Sequence, residues 1–231
     1  MEIVFVHGAC VKDGAWWWHR TAELLAGRGV TSRAAALPSC GETGATPGPD
    51  GPGLPEDVAA LRALLAEAKE PTIVVAHSYG GIVAAEAVAD VAGIHHLVLI
   101  SSYLPEVGES LSSFGSDEPA PFLDLDPEAG TFTVRPDALA GTFLQDCDAS
   151  VQRDATDRTA LQSLQVVGQP VGHAGWKELA TTYVVCADDR GTPADRQRVF
   201  AERADRVIEL DAGHHPFLSQ PGVVRDLLLD L

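Results

Sequence analysis

The chain has 231 residues, 45% of them apolar, and a formal net charge of −17. Its length suits one substantial domain, or a domain carrying an insertion. The acidity argues against nucleic acid, anionic membrane surfaces and polyanionic substrates as partners. Cys10, Cys40, Cys147 and Cys186 are widely spaced, with no metal-binding pattern, so free thiols and a cytoplasmic location are expected. No basic, apolar leader precedes the first strand-like residues, and no apolar run approaches roughly 18 residues, so neither a signal peptide nor a membrane span is expected.

Glu2 to Val6 is a short apolar run followed by His7-Gly8-Ala9-Cys10, read as strand and then loop. Gly14 to Gly29 carries Trp16, Trp17, Leu24 and Leu25 at helical spacings, with Gly27 and Gly29 as stop signals. Val30 to Leu37 reads as a strand, and the Gly-, Pro- and Thr-rich stretch from Pro38 to Pro55 as a long loop. Glu56 to Lys69 reads as a helix, Thr72 to Ala76 as a buried strand, Gly81 to Val91 as a helix and Ile94 to Ser101 as another buried strand. His95 and His96 are expected to pack into the core of that strand. Strands alternating with helices predict an α/β fold with a mostly parallel sheet.

The alternation then stops. From Glu106 to Asp157 there are 12 Asp or Glu against 2 Arg. Residues 104–178 are predicted to form a mostly helical insertion, leaving residues 1–103 and 179–231 as the core. Strand–helix alternation resumes with Thr181 to Cys186 (strand), Pro193 to Arg203 (helix), Arg206 to Leu210 (strand) and Pro221 to Leu231 (helix).

The stretch TIVVAHSYGG, Thr72 to Gly81, carries the main chemical signal. A serine between a buried strand and a helix, with small residues two before and two after, is a nucleophile elbow. Here the flanking residues are Ala76 and Gly80, so the pattern is A-x-S-x-G. A serine hydroxyl needs an adjacent base oriented by a third group. Two later strands end in Ala187-Asp188-Asp189 and in Asp211-Ala212-Gly213-His214-His215. Catalytic groups of open parallel sheets gather at the carboxyl edge. Ser78, an aspartate at 188 or 189, and a histidine near 214 therefore converge, in the order Ser…Asp…His.

Four stretches, HGACVKDGAWWW (7–18), AHSYGG (76–81), YVVCADDRGTP (183–193) and AGHHPFLSQP (212–221), make the chain resemble the α/β-hydrolase superfamily from end to end. It is most similar to the compact subgroup of plant methylesterases, hydroxynitrile lyases and their bacterial esterase relatives. The resemblance implies Ser78 as nucleophile, His214 as general base and Asp189 as orienting acid, with Asp188 as the alternative one residue away. It implies the backbone N–H groups of Ala9 and Tyr79 as the oxyanion hole, no metal or organic cofactor, and a homodimer as an expectation of the family alone.

Lyases of this subgroup typically carry His-Thr in the first loop and a lysine beside the catalytic histidine. This chain has Gly8 and His215 instead, which favours an esterase. The expected reaction is hydrolysis of a neutral, fairly apolar carboxylic ester through an acyl-serine. The alternatives are a hydroxynitrile lyase, a cyclase or isomerase, or a small-molecule receptor on the same fold. Candidate pocket residues are Gly8, Trp17, Phe114, Phe122, Leu123, Phe143, Leu144, Trp176 and His215.

Overall fold

A computed structural model of the chain describes residues 1–115 and 118–231. Six strands form one parallel sheet: β1 (Glu2–Val6), β2 (Thr31–Ala34), β3 (Thr72–His77), β4 (Ile94–Ile100), β8 (Ala180–Cys186) and β9 (Arg206–Leu210). Their spatial order is β2-β1-β3-β4-β8-β9. Three short strands between β4 and β8, namely β5 (Leu123–Asp126), β6 (Thr131–Val134) and β7 (Gln162–Ser163), form a separate antiparallel sheet in the order β5-β6-β7.

The central strands are near-continuous apolar runs because both faces are covered. All six residues of β3 are buried, as are the last four of β4. Helix α1 (Gly14–Ala26) packs with α7 (Pro216–Ser219) and α8 (Pro221–Leu229). Its Trp18 ring lies between Phe5, 4.4 Å away, and Phe217, 3.8 Å away. Helix α2 (Leu54–Ala66) packs against α3 (Gly80–Ala87), and α6 (Ala194–Ala201) against β8.

The chain leaves β1 toward β2 on one side and returns as β3 on the other. The carboxyl ends of β1 and β3 therefore flank a topological switch point, where open parallel sheets form a crevice. The loop His7–Cys10 and the turn at Ser78 both start from that edge.

The elements meet the sequence expectations closely, with differences that have local causes. Strand β2 starts at Thr31 because the Val30 amide closes back on the Leu25 carbonyl, 3.1 Å away, and so belongs to the end of α1. It ends at Ala34, ahead of a 3-10 turn at Pro38–Cys40. His95 is exposed and His96 is half-buried, with Nε2 2.8 Å from Thr182 Oγ1. Neither packs into the core, because the first residues of β4 lie beyond the covered part of the sheet.

The insertion predicted as mostly helical contains the β5-β6-β7 sheet alongside two eight-residue helices, α4 (Pro136–Phe143) and α5 (Ala149–Thr156). Among the described residues no helix is long and apolar enough to cross a membrane.

Candidate active site

Ser78 follows the last residue of β3 and has φ 51°, in the left-handed region that a non-glycine residue rarely adopts. Such strain at a strand-to-helix turn holds a side chain out at the sheet edge. The turn needs Gly80: a Cβ there would lie 2.6 Å from the His7 carbonyl oxygen. Ala76 is accommodated inside the sheet, paired with Val6 on one side and Leu99 on the other.

His214 and Asp189 come together from the loops after β9 and β8. His214 Nδ1–H donates to Asp189 Oδ2 at 2.7 Å, and both residues are buried. The same Oδ2 accepts from the Ser101 hydroxyl and, at 3.0 Å, from Gln197 Nε2. Oδ1 accepts the amides of Gly191 at 2.8 Å and Thr192 at 3.0 Å. Burial alone would raise the Asp189 carboxyl. The His214 charge and the donors around Asp189 outweigh it and hold the group below its ordinary range. With Nδ1 committed, His214 presents Nε2 as its free nitrogen. Asp188, the alternative acid, is exposed.

His77 and His215 pack against this pair. The three imidazole centroids are 4.4–4.9 Å apart, in edge-to-face or tilted contact. His77 Nε2 is 2.9 Å from the His214 carbonyl, and His215 Nδ1 is 2.9 Å from the Phe143 carbonyl, so each donates one N–H to backbone. Burial, reinforced by the neighbouring imidazoles, pushes His77 well below its ordinary value and His215 to about 3. Both are neutral at physiological pH. One nitrogen of each of these three residues lies within 4.8 Å of the others, which makes them the closest approach to a metal-ligand set among the described residues.

The loop after β1 is held by a buried ion pair. His7 Nε2 donates to Glu42 Oε2 at 2.5 Å, and His7 Nδ1 to the Gly8 carbonyl at 2.8 Å. Glu42 also accepts the amides of Gly14 at 2.8 Å and Leu37 at 3.0 Å. Burial works against the charge on His7, but Glu42 and the Gly8 carbonyl raise it above its ordinary value. The Gly8 carbonyl and the Ala9 N–H belong to one peptide unit, so the His7 cation holds that unit in place. Neither the Ala9 amide nor the Tyr79 amide has a hydrogen-bond partner among the described residues.

Ser78, His214, Ala9 and Tyr79 all line one cavity of about 500 Å³ between the sheet edge and the insertion. Of the expected pocket residues, Gly8, Trp17, Phe114, Phe122, Leu123, Phe143 and His215 line it. Trp176 does not: its indole N–H donates to the Pro105 carbonyl at 2.8 Å, in a packed corner beside the start of the insertion. Leu144 is fully buried and also lies off the lining. Leu125, Phe132, Val134, Leu139 and Leu164 complete the apolar roof, and Glu118 and Arg196 contribute its charged part.

Residues 3–227 match the alpha/beta hydrolase family. The chain belongs to that family. An alpha/beta hydrolase of Aspergillus novofumigatus, nvfD, is 27% identical over 194 residues, covering 76% of this chain and 77% of the relative. Methylesterase 9 of Arabidopsis thaliana is 25% identical over 268 residues, covering 99% and 96%. The crystal structure of a pyrethroid hydrolase from Sphingobium faniae superposes with a TM-score of 0.84 at 22% identity, covering all of this chain and 96% of that one.

Several residues of this α/β hydrolase site escaped the sequence reading. Ser101 and Gln197 cradle Asp189, Glu42 pairs with His7, and Asp57 meets Tyr79. Ser101 was accessible in principle, since it ends a buried strand at the carboxyl edge. Nothing in the local sequence marks the others, because their partners are brought in by the fold.

Proposed function

We propose that this α/β hydrolase cleaves a neutral, fairly apolar carboxylic ester through an acyl-serine intermediate, with residues 104–178 acting as a cap over the site. The observation that carries the reading is that His214, paired with Asp189 at 2.7 Å, lines the same cavity as a serine held at φ 51°.

Ser78 Oγ attacks the ester carbonyl while His214 Nε2 takes its proton. Asp189 keeps the imidazole in the tautomer with Nδ1 protonated and stabilises the imidazolium. The N–H groups of Ala9 and Tyr79 receive the oxyanion. Tyr79 precedes α3, where unpaired amides and the helix dipole favour negative charge. His214 then protonates the leaving alkoxide, and a water deprotonated by His214 releases the acid.

The apolar lining supports a substrate with substantial hydrocarbon surface. The relationship to a protein named as a methylesterase supports ester chemistry. Gly8 bears on the lyase alternative. A Cβ at that position would lie 3.0 Å from both Ser78 Cβ and His77 Nδ1, so a hydroxyl-bearing residue there would force its neighbours to move.

The test is hydrolysis of an activated aryl ester under pre-steady-state conditions. The reading expects a burst of phenol stoichiometric with enzyme, lost in Ser78→Ala. Cleavage of a cyanohydrin without any ester burst would replace it with the lyase.

A further inference from the structure

A chain of buried hydrogen bonds runs from the Cys10 amide, one residue beyond Ala9, to the side-chain hydroxyl of Tyr79, and it passes through the insertion. Gln162, on the two-residue strand β7, is fully buried. Its Oε1 accepts the Cys10 amide at 2.9 Å, and its Nε2 donates to Ser39 Oγ at 2.9 Å. Ser39 Oγ donates to Asp57 Oδ2 at 2.6 Å, and the Ser39 amide donates to Oδ1 at 2.8 Å. The Tyr79 hydroxyl donates to the same Oδ2 at 2.8 Å. Every side chain in the path from Gln162 to Tyr79 is shielded from solvent.

Cys10 is where the insertion grips the loop. It has φ 59°, a left-handed conformation that a non-glycine residue keeps only where its surroundings enforce it. Both of its backbone polar groups are taken by the insertion: the N–H by Gln162, and the carbonyl by the Ala160 amide at 2.8 Å. The Lys12 amide continues the contact to the Arg158 carbonyl at 2.9 Å.

From this geometry we infer that Gln162 is a positioning residue for ester hydrolysis, setting the spacing of the Ala9 and Tyr79 amides from inside the cap. The inference rests on the hydrolase reading above. It makes the cap part of the catalytic apparatus, because a cap that lifts away releases Cys10, the residue next to the Gly8–Ala9 peptide that carries one oxyanion donor.

Gln162→Met keeps the side-chain length and removes both hydrogen bonds. Deleting an oxyanion donor lowers kcat by about 10²–10³, and displacing one is expected to cost about 10–100-fold. The expected pattern is that loss in kcat with KM within about threefold, on the scale of that same donor effect. Affinity for an aryl trifluoromethyl ketone, which forms an oxyanion on Ser78, should fall by the same factor. Affinity for the matching methyl ketone should stay unchanged.

Ser39→Ala cuts the path beyond Gln162 while leaving the Cys10 bond. It should show the same pattern more weakly, and it carries the test if Gln162→Met does not fold. Equal weakening of both ketones, or an unchanged kcat in a folded variant, overturns the inference while leaving the hydrolase reading intact. A wild-type protein with no burst overturns the hydrolase reading and this inference together.

Discussion

Asp189→Asn separates the two adjacent aspartates by a mechanism that the structure makes specific. The Asp189 carboxylate accepts five donors: His214 Nδ1–H, the Ser101 hydroxyl, Gln197 Nε2, and the amides of Gly191 and Thr192. An asparagine offers one oxygen and one NH2 group. The two backbone amides cannot turn away, so the asparagine oxygen is driven to the Oδ1 position and its NH2 faces His214. His214 must then present a lone pair at Nδ1 and carry its proton on Nε2, the nitrogen that should receive the serine proton. Loss of the correct tautomer costs about 10⁴ in kcat in the triad precedent, equivalent to about 5 kcal/mol of barrier. Asp188 is exposed, and Asp188→Asn should leave kcat within about twofold, as surface changes away from such features do. Steady-state kinetics on an aryl ester, with melting curves as the control for folding, read both variants. A folded Asp189→Asn enzyme within tenfold of wild type would show that Asp189 does not set the His214 tautomer, on the scale of the same precedent.

The buried His7–Glu42 pair gives a pH-dependent stability. His7 is raised above its ordinary 6.5, so its contribution is fully present below that pH and is lost as pH rises through its folded-state value. Glu42, pulled below its ordinary 4.5 by His7 and by the Gly14 and Leu37 amides in spite of burial, contributes above that pH and loses its contribution as pH falls through its folded-state value. His7→Gln should therefore destabilise most between pH 4.5 and 6.5, by about 3 kcal/mol for an orphaned buried charge, and progressively less above. Denaturant melts across that range would contradict this if the difference grew with alkaline pH. Gly80→Ala should abolish the folded elbow, since the added Cβ meets two backbone oxygens at 2.6 and 2.7 Å; a stable, active Gly80→Ala protein would show that the turn has room. Phe217→Ala removes a ring stacked on Trp18 and touching His77, and should cost about 3–5 kcal/mol of stability in a urea titration.

Strands buried on both faces were legible because their apolar runs need no partner to be recognised. β1, β3, β4 and β8 were found within a residue or two. The small sheet of the insertion was not. Its longest strands have four residues, and Leu123-Asp124-Leu125-Asp126 alternates inside an acidic stretch that also reads as solvated loop. Asp189 and His214 lie in the loops after β8 and β9 and pair there, and Ser78 follows β3 on the cavity that His214 lines; strand ends and turn chemistry are what make such positions readable from a sequence. Trp176 misled because an aromatic side chain announces burial but not the cavity it faces. Gln162 was invisible for a deeper reason. Its partners Cys10 and Ser39 are 152 and 123 residues away, and a lone glutamine carries no pattern that points to them.

The proposed hydrolysis stands on Ser78 as the nucleophile. Incubation of the intact protein with a fluorophosphonate, followed by intact-mass and peptide mass spectrometry, reads this directly. The expected result is stoichiometric labelling at Ser78 that is lost in Ser78→Ala and strongly slowed in His214→Ala. A folded protein left unlabelled, or labelled at another residue, would contradict it.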